Sequence, residues 1–165
     1  RECGSLLRSF DRESLLHRDA VAGVLWDPRS LKTLLVRQFR YPTYQKGPGW
    51  MIECVAGLIE EHETPEQAMI REIMEESSYQ VENLQQIMVF YASPSCSNER
   101  VILFSGQIEA RSVEQVSYGG EAETEDIQLV WLSIPEVKSL LNDPTRLIQF
   151  DAKTIVALYW WLDQV

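Results

Sequence analysis

The chain has 165 residues, 45% of them apolar and 24% charged, which suits one globular domain with a core of its own. Its 25 acidic residues against 15 basic ones leave a net charge of -10, which repels nucleic-acid phosphates and anionic membranes, so no nucleic acid and no membrane is expected as a partner. No apolar run approaches the roughly 18 residues that span a bilayer, and the odd set Cys3, Cys54 and Cys96 has no metal-ligand spacing, which fits a reducing cytoplasm.

The chain opens on Arg1 instead of Met, so residues 1–20 read as a truncated N-terminal segment of a single domain spanning 1–165. Runs rich in β-branched and aromatic residues follow: VAGVLW from Val21, TLLVRQF from Thr33, MIECVA from Met51, QIMVFYA from Gln86, RVILFSGQI from Arg100 and IQLVWL from Ile127. Most read as strands, and DPRS at 27–30 predicts a hairpin between the first two. Helical patterns cover 65–77, 135–141 and 152–162, the last after an N-cap at Asp151. Antiparallel strands with a few interleaved helices imply an α+β fold, a sheet sandwiched between helices.

In the stretch GLIEEHETPEQAMIREIMEESSY at 57–79, Thr64, Pro65 and Gln67 have the form of a capping box with proline at the first helical position. Helical spacing groups Met69, Ile70, Ile73 and Met74 on an apolar face expected to be core, with Glu72, Glu75 and Glu76 on another. Each neighbouring like-charged pair costs a few tenths of a kcal/mol, and Arg71 alone cannot neutralise three carboxylates. A solvated acidic face is the plain alternative; a hard divalent cation, Mg²⁺ or Mn²⁺, would compensate the charge.

Gly57, Glu63, Arg71, Glu72, Ile73, Glu75, Glu76 and Tyr79 together resemble the signature box of the Nudix hydrolases, with Ser78 where that family usually has glycine. The resemblance implies an α/β/α sandwich with a mixed central sheet and hydrolysis of a nucleoside diphosphate linked to another group. Carried over, Glu72 and Glu76 are direct metal ligands, Glu75 an additional or water-mediated one, and the Ala56 carbonyl a further oxygen ligand. Arg71 orients the glutamates, and Gly57 lets the backbone come close. The implied cofactor is Mg²⁺, with Mn²⁺ as a substitute.

Beyond the box, VRQFRYP from Val36, IECVAGLIEE from Ile52 and ASPSCSNER from Ala92 resemble bacterial ADP-ribose pyrophosphatases. That likeness implies Arg40, Glu53, Gly57 and Pro94 as substrate-binding residues and a homodimer. It also gives the acidic stretch GGEAETED at 119–126 the place of a mobile catalytic loop, with Glu123 as general base and Glu125 as a further metal ligand; Glu121, Glu123 and Glu125 could exchange these roles. The expected activity is cleavage of ADP-ribose to AMP and ribose 5-phosphate. GDP-mannose or a UDP-sugar is the enzymatic alternative. A nucleotide-sugar sensor is a third reading, disfavoured because sensing needs no such set of carboxylates. His17 and His62 read as surface histidines, Cys96 as a loop residue, and TIVALYWWL near the C-terminus as core or dimer contact.

Overall fold

The computed structural model describes residues 11, 13–110, 117, 118 and 127–165. Strand β1, Ala20–Asp27, sends Val21 and Leu25 to one face and Ala22 and Val24 to the other, since successive strand residues alternate. All four are fully buried, which requires cover on both faces. Along one edge β1 pairs in parallel with β6, Arg100–Gln107. Along the other, its C-terminal end forms the expected antiparallel hairpin with β2, Lys32–Phe39. The Asp27 carboxylate fixes that turn by accepting the Arg29 N–H at 3.0 Å and the Ser30 hydroxyl at 2.6 Å.

Beyond the hairpin two short strands fill the space between β1 and β2. β3, Trp50–Glu53, pairs with β2, and β4, Val55–Leu58, pairs with β1. MIECVA, expected as one strand, is thus two, because the chain changes partner at Cys54, whose N–H goes to the Thr154 hydroxyl at 2.9 Å. The strand path is β5-β6-β1-β2-β8-β7, with β5 at Glu82–Tyr91, β7 at Ser117–Tyr118 and β8 at Ile127–Ser133. The parallel β1–β6 pair makes this sheet mixed. A one-turn helix α1, Tyr41–Tyr44, follows β2 and has no counterpart in the sequence reading.

Helix α2, Pro65–Ser77, covers one face through Ala68, Met69 and Ile73. Helices α3, Ile134–Leu141, and α4, Ala152–Gln164, cover the other through Val137, Leu140, Ala157, Leu158 and Trp161. The aromatic C-terminal run is therefore core along the Trp161 stripe, while Tyr159 is exposed. α4 starts where expected, the Asp151 carboxylate accepting the Thr154 N–H at 2.8 Å.

The ends of α2 also match their signals. The Thr64 hydroxyl accepts the Gln67 N–H, and the Gln67 side chain accepts the Thr64 N–H at 2.9 Å. Ser78 closes the helix at φ 56°, ψ 21°, the left-handed conformation that glycine adopts freely. The faces of the helix differ from expectation. Ile70 and Met74 are 47% and 43% exposed, and Glu76 lies on the buried side. Seven residues after Met69, Glu76 completes almost two helical turns and lands beside it.

Candidate functional site

The residue types of α2 and β4 meet at the mouth of the β1–β2 split. The helix carries Glu72 and Glu76 over β4, where a side chain on residue 57 would collide: a Cβ there would lie 1.8 Å from Glu72 Oε1 and 2.0 Å from its Cδ. Gly57 is therefore needed for the approach of this carboxylate, a more specific reason than the general backbone access inferred from sequence.

Arg71 organises the outer part. Its Nε and Nη2 donate to the two oxygens of Glu63 at 2.9 and 3.1 Å, and Nη1 donates to Glu72 Oε1 at 2.8 Å and Glu75 Oε2 at 3.0 Å. Nη2 also reaches the Leu58 carbonyl at 3.1 Å, which ties the loop after β4 to the helix. The Glu63 bond, opposed by desolvation and joined by Glu72 and Glu75, drives the guanidinium pKa upward, so this charge is permanent.

Glu76 is placed differently. Its Oε2 is buried without a hydrogen-bond partner among the described residues. Burial, and then the charge of Glu72, push its pKa from the ordinary carboxylate range up to about 8, against the pull of the Ala56 backbone N–H and of Arg40. An orphaned buried carboxylate oxygen beside a second carboxylate is a site that a cation would stabilise.

The inner wall holds a second ion network. Arg40 binds Glu53 in a bidentate fork, both contacts at 3.0 Å, and Lys153 donates to Glu53 Oε2 at 3.1 Å and to Asp151. Glu53 is 3% exposed; burial opposes its ionisation, yet Arg40 and Lys153 outweigh that and hold its pKa below the usual value. Lys153 was not singled out in the sequence, and Asp151 only as the N-cap of α4; a cation two positions past that N-cap aspartate was the available signal.

These groups line one cleft of about 870 Å³, which includes Arg18, Arg40, Ala56, Gly57, Glu60, Arg71, Glu72, Glu76, Phe90, Glu99, Asp151 and Lys153. The structure so brings together Arg40, Ala56, Gly57, Arg71, Glu72 and Glu76, with Glu53 behind Arg40. Glu75 is bonded to Arg71, its side chain 59% exposed. Pro94 sits exposed on the turn between Ala92 and Glu99 and does not line the cleft. Glu121, Glu123 and Glu125 lie outside the described residues.

The carboxylate oxygens of Glu72 and Glu76, with Ala56 beside them in the cleft, suit a hard divalent cation. Among the described residues no three acidic or histidine side chains already close on one point, since Arg71 holds Glu72 and Glu75. A cation would draw Glu72 toward Glu76.

Comparison with known proteins agrees with this arrangement. The NUDIX domain profile matches residues 16–156. A GDP-mannose pyrophosphatase of Pectobacterium atrosepticum is 32% identical over 160 residues, covering 96% of this chain and 79% of that protein. An ADP-ribose pyrophosphatase of Haemophilus influenzae is 33% identical over 123 residues, covering 72% of this chain and 56% of that protein. An ADP-ribose pyrophosphatase of Escherichia coli K12 is 29% identical over 158 residues, covering 95% of this chain and 74% of that protein.

Proposed function

The chain belongs to the Nudix family, and on that premise we propose that it hydrolyses the diphosphate of a nucleoside diphosphate sugar, ADP-ribose in the first place, to AMP and ribose 5-phosphate. The observation that carries this reading is the buried, partnerless Oε2 of Glu76 beside Glu72, in a cleft that also presents Arg40 and Lys153. Carboxylates alone would repel a diphosphate; carboxylates that await a cation, set near basic groups, would receive one.

Nudix hydrolases use divalent metal ions, and here Glu72, Glu76, the Ala56 backbone and, more peripherally, Glu75 would hold Mg²⁺, with Mn²⁺ as a substitute. When bound, the cation neutralises the diphosphate and lowers the pKa of water. Arg71 keeps Glu72 and Glu75 in place by its fork of hydrogen bonds. Glu53, fixed by Lys153, orients Arg40 toward the cleft. Glu123 takes the proton of the attacking water as its oxygen bonds to phosphorus and the bridging P–O bond breaks, and Glu125 adds a ligand; both roles rest on the likeness of residues 119–126 to the family's loop. Pro94 would shape the turn beside the cleft and not touch its floor.

GDP-mannose is the second reading, favoured by the similarity to the Pectobacterium protein, which is named for that activity. Turnover of ADP-ribose, GDP-mannose and a UDP-sugar with Mg²⁺, with products identified by phosphorus NMR, tests both. ADP-ribose should give the highest kcat/KM; preference for GDP-mannose would install the second reading, and no turnover of any of the three would overturn the proposal.

We also infer a homodimer of single-domain chains. Phe39, Tyr41, Tyr44 and Ile148 are 43%, 69%, 62% and 57% exposed around the segment that carries Arg40, an apolar surface that a second copy would cover. Sedimentation equilibrium at micromolar concentration showing only monomer would refute it. A reducing cytoplasm is the compartment we assign, consistent with free Cys54 and Cys96.

A further inference from the structure

Among the basic side chains that line the cleft, three are already committed. Arg71 is surrounded by Glu63, Glu72 and Glu75, Arg40 is forked onto Glu53, and Lys153 bridges Glu53 and Asp151. Arg18 is the fourth, and it makes no hydrogen bond or ion pair with any described residue. In a chain of net charge -10, a cleft-lining arginine with no carboxylate partner among the described residues is a candidate anion site.

Its base is held firmly. The His17 N–H donates to Asn98 Oδ1 at 2.7 Å, the Leu15 N–H to the Cys96 carbonyl at 2.8 Å, and the Ile59 N–H to the Asp19 carbonyl at 2.9 Å. Residues 15–19 are thereby stitched to the loop after β5 on one side and to the loop after β4 on the other. Arg18 and Ala20 line the cleft, while the Asp19 carboxylate between them is taken by Arg100 Nε at 3.1 Å and by its Nη2. The nearest acidic group in sequence is thus occupied elsewhere, and Glu60 and Glu99, which share the cleft, do not bond to Arg18.

We propose that Arg18 is a substrate-binding residue that receives a phosphoryl group of the nucleoside diphosphate sugar, and of whichever product keeps that group; this rests on the function proposed above. A planar guanidinium with several N–H donors matches a phosphoryl oxygen pair better than an ammonium does, and a fixed backbone limits the order lost on binding.

The test is calorimetric titration of the wild type, Arg18→Gln and Arg18→Lys with AMP and with ribose 5-phosphate at saturating Mg²⁺, with adenosine as the uncharged control. Arg18→Gln should weaken one or both phosphomonoesters about tenfold and leave adenosine unchanged, and Arg18→Lys should recover part of the loss. The product that weakens identifies the phosphoryl group held. In turnover, Arg18→Gln should raise KM about tenfold with kcat within about twofold, the mark of an interaction made equally in the ground and transition states. Unchanged phosphomonoester affinity, an equal loss for adenosine, or no phosphomonoester binding by the wild type would overturn the assignment. A wild type that binds phosphomonoesters through Arg18 but turns over no nucleotide sugar would defeat the proposed reaction and leave the anion site standing.

Discussion

Arg71 faces three carboxylates alone, whereas Arg40 and Lys153 face two between them. Both networks border the same cleft, yet the outer one keeps surplus negative charge and the inner one is neutral. The difference shows in the acids themselves: Glu53, although more buried than Glu72, is held ionised, while Glu76, which has no such cation bonded to it, is pushed toward its protonated form. Self-neutral networks set geometry, and uncompensated ones recruit a ligand.

If Glu76 is the least compensated group, removing its charge should cost the most. Glu76→Gln is expected to lower turnover about 10³-fold or more at saturating Mg²⁺ while circular dichroism stays native. Turnover equal to wild type would remove Glu76 from the metal set and with it the contrast drawn between the two networks.

Chemistry separates from charge recruitment at Glu123. Glu123→Gln should slow the single-turnover rate about 10²-fold or more with metal affinity intact, and Glu125→Gln should lose metal affinity and be partly rescued by Mn²⁺. A large, metal-insensitive loss in Glu121→Gln, with Glu123→Gln like wild type, would shift the base by two residues, to Glu121.

The sequence made the outer network readable because its spacing is local: Gly57, Glu63, Arg71, Glu72, Glu75 and Glu76 lie within two elements and the loop joining them. The capping box and the hairpin turn at 27–30 were equally local. What it hid was tertiary. A helical wheel with one broad apolar sector does not say where the buried arc is centred, so Ile70 and Met74 were placed inside and Glu76 outside. The partner change at Cys54 depends on Thr154, 100 residues away, and Lys153 joins Glu53 only once α4 has docked. The role of Gly57 was visible as a motif position; its cause, the Glu72 carboxylate pressed against it, was not.

That contact can be broken directly. Alanine at 57 collides with the flexible end of Glu72 and not with backbone, so Gly57→Ala should fold, displace Glu72 from both Arg71 and the metal, and weaken Mg²⁺ affinity about tenfold by titration. Unchanged affinity would mean that Glu72 can ligate from another rotamer and that the glycine serves packing alone.

The unequal balance also predicts opposite pH dependences. Glu76 holds its proton up to about pH 8 in the folded chain but loses it near the ordinary carboxylate value when unfolded, so metal-free stability should fall by a few kcal/mol as pH rises from about 4.5 to 8. Glu53, with its pKa lowered, contributes stability that is present above the ordinary value and lost as pH falls through the folded one. Melting temperatures in chelator from pH 5 to 9 should decline, and Mg²⁺ should cancel the decline. Glu76→Gln should flatten the metal-free profile; a slope that persists in this variant would assign it to another group.

The smallest effect is expected at the end of the helix that carries the outer network. Ser78 sits at φ 56°, where a side chain costs about 1 kcal/mol relative to glycine, and its N–H closes the last turn on the Met74 carbonyl at 2.9 Å. Ser78→Gly should therefore raise the melting temperature by a few degrees, less whatever flexibility glycine adds to the unfolded chain. Because the backbone already has the conformation that glycine prefers, Glu72 and Glu76 should not move, and Mg²⁺ affinity should stay within about twofold of wild type. The pairing of these two readings is what makes the variant informative: stability changes through the local backbone, recruitment of the cation through charge alone. If metal affinity rises or falls together with stability, the position of Glu76 is governed by how the helix ends, and charge imbalance is not a sufficient account of the outer network.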